Sequence, residues 1–307
     1  MYDYRWQLED VDLYVHAPLP LDRSTSNVRE EQAGGDRAEE RQLLHHIHIT
    51  IKPGEWVFLV GANGSGKSTL TRLLAGYGSW RTTGTVRIME RADKGIAAEE
   101  HSAAAPFTPL VMQNPEASLV GMTPREDAML LLEQLGIPAA DIFPRVEEAL
   151  RRTGLTEHQA SQIATLSGGQ KQLTAIAGCI ASGADALLLD EPTSMLDPDA
   201  SMLVMDAVRS LHDAGTTVIW ATQRLEEIRQ GDRVVALKDG RITFDGSAES
   251  FFVRPSADAL SPCEQAELEA PYIVETVWAL QNEGIMLDPR MPLSPSELAK
   301  AVSRYGK

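Results

Sequence analysis

Three short stretches carry residue types that handle phosphate. The first, GANGSGKS at residues 61–68, fits G-x(4)-G-K-[ST]. Its glycines Gly61, Gly64 and Gly66, with Asn63 and Ser65 between them, let backbone N–H groups turn inward around an anion. The helix expected to open there adds its positive dipole end. In such a loop Lys67 reaches the β and γ phosphates of a nucleotide and the Ser68 hydroxyl holds Mg²⁺. The second stretch is ALLLDEPTSMLD at 186–197. Its apolar run Ala186–Leu189 ends in two carboxylates. Asp190 is placed to take a metal ion through water, and Glu191 to orient or deprotonate an attacking water. The third is LSGGQKQ at 166–172. Ser167, Gly168 and Gly169 present a hydroxyl and close backbone donors at a helix start, a second anion nest. A plain helix cap would explain Ser-Gly-Gly by itself; in a chain that also holds the other two stretches, it does not.

The elements that must position these residues are legible from hydropathy patterning. LEDVDLYV (8–15) alternates and reads as a strand; LLHHIHITI resumes the alternation and PGE turns it. WVFLV is a continuous apolar run, a strand buried on both faces, leading into the phosphate loop. Helical signals dominate 123–181, opened by TPRE: a Thr cap, Pro at the first helical position and Glu as reciprocal partner. ALLLD, TTVIWAT and RVVALKDGRITFDG return to strands, the last a hairpin around Asp239-Gly240. Residues 18–42 are polar with few apolar anchors and read as a mobile insertion, and 91–106 as a surface loop. Beyond Ser247 the character changes. APYIVETVWALQNEG reads as an amphipathic helix whose apolar positions suit a dimer or domain contact, and SPSELAKAV has another Ser-Pro-x-Glu helix start.

Composition narrows the function classes. The chain has 307 residues, with 43% hydrophobic and 23% charged, an ordinary soluble globular balance. Its net charge of -16 argues against broad binding to nucleic acid, which needs clustered Lys and Arg. The two cysteines, Cys179 and Cys263, make no disulfide framework and suit a reducing interior; Cys179 reads as a small core residue. The N-terminus has no signal-peptide pattern and no apolar stretch is long enough to span a bilayer. Work at a membrane would therefore need another chain as the anchor. His46 and His48 share one face of a strand, but with no third ligand identifiable they read as surface or structural.

With the phosphate loop, LSGGQKQ and LLLDEP in this order, the chain resembles the ATP-binding-cassette ATPases over residues 8 to about 246. GEWVFLVGANGSGKSTL, QNPE, LSGGQKQ, AIAG and DEPTSMLDP are most similar to the energy-coupling-factor transporter ATPases, which drive uptake of vitamins and of nickel or cobalt ions. The resemblance implies an α/β phosphate-loop NTPase fold. It consists of a RecA-like core with an antiparallel β-subdomain and a helical subdomain (123–181), together an ATPase domain over 1–246. A small C-terminal helical appendage over 247–307 supports dimer contacts. It further implies ATP and Mg²⁺, held between one subunit's phosphate loop and the LSGGQ of a second ATPase subunit, itself or a paralogue, in a head-to-tail dimer. On that pattern Tyr14 stacks on adenine, and residues 61–69, ending at Thr69, cradle phosphate. Gln113 lies on a loop that touches Mg²⁺ and moves with the membrane partner. Ser167 to Gln170 meet the nucleotide across the dimer, and Asp197 lies on the loop crossing the interface. Implied partners are a transmembrane scaffold and a substrate-binding membrane subunit, with this chain peripheral on the cytoplasmic face.

One residue departs from the pattern. The run Val218–Ala221 stops at Thr222-Gln223, and Gln223 stands where the family has its switch histidine, which contacts the γ-phosphate and the attacking water. A glutamine amide can still donate to a phosphate oxygen and accept from water, but carries no charge. A glutamine orients water in other phosphate-loop enzymes, so a working ATPase is the reading. The alternative is a non-catalytic nucleotide-binding partner of a hydrolysing paralogue.

Overall fold

A computed structural model describes residues 5–16, 40–78, 80–89, 108–256, 259–287 and 291–305. Strands β1 (Trp6–His16), β2 (Glu40–Ile51) and β4 (Arg81–Ile88) form an antiparallel sheet of order β2-β1-β4. The alternation seen from Leu8 to Val15 is the inward row of β1, with Trp6, Leu8, Val11 and Leu13 buried. The polar stretch 18–42 needs correction at its end. Glu40, Arg41 and Gln42 belong to β2, opposite His16, Val15 and Tyr14, and Arg81 of β4 binds the Glu40 carboxylate at 2.6 Å. The rest of that stretch, and the loop read at 91–106, lie outside the described residues.

The second sheet has six strands in the order β5-β6-β7-β3-β8-β9: β5 (Leu110–Val111), β6 (Ala186–Asp190), β7 (Thr217–Thr222), β3 (Trp56–Val60), β8 (Arg233–Lys238) and β9 (Arg241–Ser247). Its pairings are parallel except β8 with β9, the hairpin read around Asp239-Gly240. Both turn residues have positive φ, 48° and 71°, as a two-residue type I′ turn requires. The strands lack polar alternation because both faces are covered. Val57, Leu59, Leu188, Ile219 and Val235 pack toward β1, β2 and α1 (Lys67–Leu74). Trp56, Phe58, Leu189, Trp220 and Val234 face the helices on the other side.

Those helices are α2 (Pro124–Gln134), α3 (Ala139–Arg152), α4 (Gly168–Ala181) and α5 (Pro198–Asp213). Thr123 caps α2, its Oγ1 accepting from Glu126 N at 3.2 Å; the Glu126 carboxylate accepts from Met122 N at 2.9 Å, one residue before the cap. In α3, Ile142, Val146, Ala149 and Leu150 are buried, a single stripe at helical spacing. The C-terminal helices α6 (Ala248–Phe252), α7 (Pro262–Gln265), α8 (Tyr272–Asn282) and α9 (Pro295–Tyr305) add Phe251, Phe252, Val277 and Trp278 to that same core. Trp278 Nε1 donates to Phe252 O at 2.9 Å, and Gln230 Nε2 to Met291 O at 2.9 Å. Ser294 and Glu297 exchange the reciprocal cap that SPSE suggested. Cys179 and Cys263 are both buried, and burial pushes each thiol up to about 12.

Candidate nucleotide site

The phosphate loop joins β3 to α1, at the carboxyl ends of the parallel strands where open α/β sheets bind ligands. All three of its glycines are required by geometry. Gly66 caps α1 with φ 108°, a left-handed conformation that a side chain resists. At Gly61 a Cβ would stand 2.4 Å from Ser65 Oγ and 2.5 Å from Leu237 O. Gly64, at φ 79°, is left-handed too, but nothing lies within 4 Å of a Cβ position there, so the loop's outer rim is open. Ser65 Oγ is buried without a hydrogen-bond partner, and its backbone N–H donates to Ala62 O at 3.1 Å. A buried hydroxyl left unpaired is costly, and an anion seated in the loop would satisfy it.

Lys67 and Ser68 open α1 toward the carboxylates that end β6. Lys67 Nζ donates to Gly61 O at 2.7 Å and lies 3.6 Å from Glu191 Oε1. Burial pushes the Lys67 ammonium below its usual range, while the Glu191 and Asp190 charges pull it back. Ser68 Oγ donates to Asp190 Oδ1 at 3.0 Å. Burial raises the Asp190 carboxyl, opposed first by that hydrogen bond. A hydroxyl and a carboxylate side by side are hard oxygen donors, the set that suits Mg²⁺. Thr69 follows in the first turn of α1, half-buried.

Glu191 has φ 50°, rare for a residue with a side chain and of a kind that clusters at functional sites. Its N–H donates to Ala221 O at 2.8 Å, which ties it to the end of β7. Gln223, just past β7, meets it there. Gln223 Nε2 donates to Glu191 Oε1 and to Asn63 Oδ1, both at 2.8 Å. The structure thus gathers Asn63, Lys67, Ser68, Asp190, Glu191 and Gln223 into one cluster.

The other site residues read from sequence stand elsewhere. Tyr14 is half-exposed on β1, with the Arg81 guanidinium 4.0 Å over its ring. Gln113 is exposed between β5 and a short 3-10 turn at 115–117. Ser167 Oγ accepts from Gln170 N and Gln170 Oε1 from Ser167 N, closing a capping box at the start of α4. Gly168 and Gly169 let that end approach α5: added Cβ atoms would lie 3.0 Å from Leu196 Cδ2 and 2.9 Å from Ala200 Cβ. Lys171 binds Glu116, tying the Gln113 loop to α4. Asp197 caps α5, accepting from Ala200 N at 2.8 Å.

Sequence reasoning missed a second layer around the cluster. Glu227, almost buried, accepts from Thr193 Oγ1 and, at 2.8 Å, from Trp220 Nε1. Arg224 Nη1 donates to Thr193 O and Ser201 Oγ, both at 3.1 Å. The only signal was the acidic pair after Gln223, in which Glu226 and Glu227 are indistinguishable.

This fold with this cluster is that of the ABC transporter ATPases, and residues 44–194 match that family. Over 282 residues the chain is 34% identical to the energy-coupling factor transporter ATP-binding protein EcfA of Methanosarcina acetivorans, covering 90% of this chain and 98% of that protein. Over 270 residues it is 36% identical to EcfA1 of Halalkalibacterium halodurans, covering 87% and 93%. The solved structure of cbiO1 from Clostridium perfringens, part of the ABC transporter complex cbiONQ, matches with a TM-score of 0.61 at 25% identity, over 90% of this chain and 99% of that one. The chain belongs to the energy-coupling factor transporter ATP-binding proteins.

Proposed function

We propose that this ATPase drives uptake of a vitamin or transition-metal ion. It would work as a head-to-tail dimer on the cytoplasmic face of a membrane scaffold subunit, with a separate membrane subunit choosing the cargo. No helix among the described residues is long and apolar enough to cross a membrane, which suits a peripheral subunit. The observation that carries the hydrolysis in this reading is the meeting of Gln223 and Lys67 on Glu191, at 2.8 and 3.6 Å, next to the Ser68–Asp190 bond at 3.0 Å.

In hydrolysis, Lys67 binds the β and γ phosphates and the inward N–H groups of the loop hold their oxygens. Ser68 and Asp190 would hold Mg²⁺, with Gln113 the further ligand that the family resemblance implies; bound there, the ion would supply neutralisation of charge on the phosphate oxygens. Glu191 accepts the proton of the attacking water, and Gln223 orients that water while donating to the γ-phosphate. Tyr14 supports the adenine ring, and Ser167 to Gln170 of a second subunit close on the nucleotide.

The test is Glu191→Gln, which keeps shape and removes the base. ATP binding should persist, turnover should stop, and gel filtration with ATP should show a dimer. Turnover at the parent rate removes Glu191 from this role. An inactive parent revived only by Gln223→His makes the chain a non-catalytic partner instead.

A further inference from the structure

We propose that Glu227 and Arg224 are positioning residues for hydrolysis: they fasten the loop carrying Gln223 to Thr193, so that the Gln223 amide is held against Glu191. This rests on the reading of Gln223 and Glu191 as the pair that handles the water.

Two loops meet here. One runs from Glu191 through Thr193 to Asp197. The other runs from Gln223 through the 3-10 turn Leu225–Glu227. They are joined at three points. Gln223 Nε2 reaches Glu191 Oε1 at 2.8 Å. Arg224 Nη1 reaches Thr193 O at 3.1 Å and Ser201 Oγ at 3.1 Å. Glu227 accepts from the Thr193 hydroxyl with one carboxylate oxygen and from Trp220 Nε1 with the other, at 2.8 Å.

Glu227 is an expensive way to fill this space. Its side chain is 9% exposed, and a buried carboxylate costs free energy unless its oxygens are paired. An apolar residue would pack at lower cost. What the carboxylate adds is direction: two charge-assisted bonds fix the turn relative to β7 on one side and to Thr193 on the other. Thr193 lies two residues after Glu191 and four before Asp197. The same clamp therefore sets the spacing between Gln223 and Glu191 and links both to the loop expected to cross the dimer.

The test is phosphate release by the full-length chain in its assembled transporter, for Thr193→Val, Thr193→Ser and Arg224→Ala, each alone and with Gln223→Ala. Valine keeps the shape of Thr193 and removes the hydroxyl; serine keeps the hydroxyl. Arg224 is partly exposed, so its loss tests the second tie without emptying the core. A misplacement of about 1 Å can cost about 10²-fold in rate. Thr193→Val and Arg224→Ala should lower kcat by roughly 10- to 100-fold with KM for ATP nearly unchanged, and Thr193→Ser should run at the parent rate. Because the clamp acts through Gln223, Thr193→Val should add little to the loss already caused by Gln223→Ala. If Thr193→Val and Arg224→Ala hydrolyse at the parent rate while Gln223→Ala is slow, the clamp is wrong and the Gln223 reading stands. Multiplying losses in the double variants also overturn the clamp. If Gln223→Ala itself runs at the parent rate, both fall.

Discussion

At the scale of residues, the cluster's chemistry is separable. Lys67 is the one ammonium among the cluster's groups, so Lys67→Ala should abolish ATP binding measured by calorimetry; unchanged affinity would remove the phosphate-loop assignment. Gln223 contributes a hydrogen bond without charge. Loss of one bond aimed at a transition state costs about 10²–10³ in rate, so Gln223→Ala should slow hydrolysis by that factor and leave affinity nearly intact. An amide does not titrate, whereas an imidazole does near pH 6.5. The parent's rate–pH profile should therefore have no limb at that position owing to residue 223, and Gln223→His should acquire one. Identical profiles would show that residue 223 does not report on the water. Asn63, Lys67, Ser68, Asp190 and Glu191 were legible from sequence because each sits in a contiguous motif, whereas Gln223 was legible only through the family resemblance, at the end of the apolar run Val218–Ala221. Glu227 and Thr193 were not, because only the 3-10 turn sends one of two adjacent glutamates inward.

At the scale of elements, the start of α4 depends on small residues. Gly169 is buried, and a Cβ there would lie 2.9 Å from Ala200 Cβ at the start of α5. Gly169→Ala should force the two helices apart, at a cost of about 1–3 kcal/mol, read as a lower thermal midpoint with the ATP affinity of the phosphate loop retained. An unchanged midpoint would mean that the helices yield freely. The parallel strands β3, β6, β7 and β8 were readable as uninterrupted apolar runs because both of their faces are covered. β4 was not, since its burial is only partial over RTTGTVRI. β5 spans two residues, Leu110 and Val111, too few for any period to show. The short α7 carries the same Ser-Pro-x-Glu start, Ser261 and Glu264 closing a capping box, whereas α6 owes its form to Phe251 and Phe252 meeting the core, a tertiary contact that its five residues do not announce.

At the scale of the whole molecule, the C-terminal helices and the sheet share one apolar cluster. Trp278 is 7% exposed, lies beneath the Arg254 guanidinium at 4.2 Å, and bonds to Phe252 O. Trp278→Ala should cost about 3–5 kcal/mol and lower a single unfolding transition, whereas two resolved transitions would show that the C-terminal segment unfolds on its own. Acid should act on the same region. The Arg254 hydrogen bonds hold Glu264 down to about 2, against roughly 4.3 for an unfolded glutamate. A depressed carboxylate stabilises the fold above its unfolded value, and that contribution is lost as pH falls from roughly 4.3 toward about 2. Glu264→Gln should flatten the thermal midpoint's dependence on pH in that window; a parallel curve would place the acid sensitivity elsewhere. The two buried thiols carry a different consequence, for labelling chemistry. With both at about 12, only roughly one in 10⁴ is thiolate at pH 8, so Ellman's reagent should find the native chain silent. A cysteine installed at exposed Asp197 would then be the sole reactive handle, and spin labels attached there could measure how far two copies approach when ATP is added.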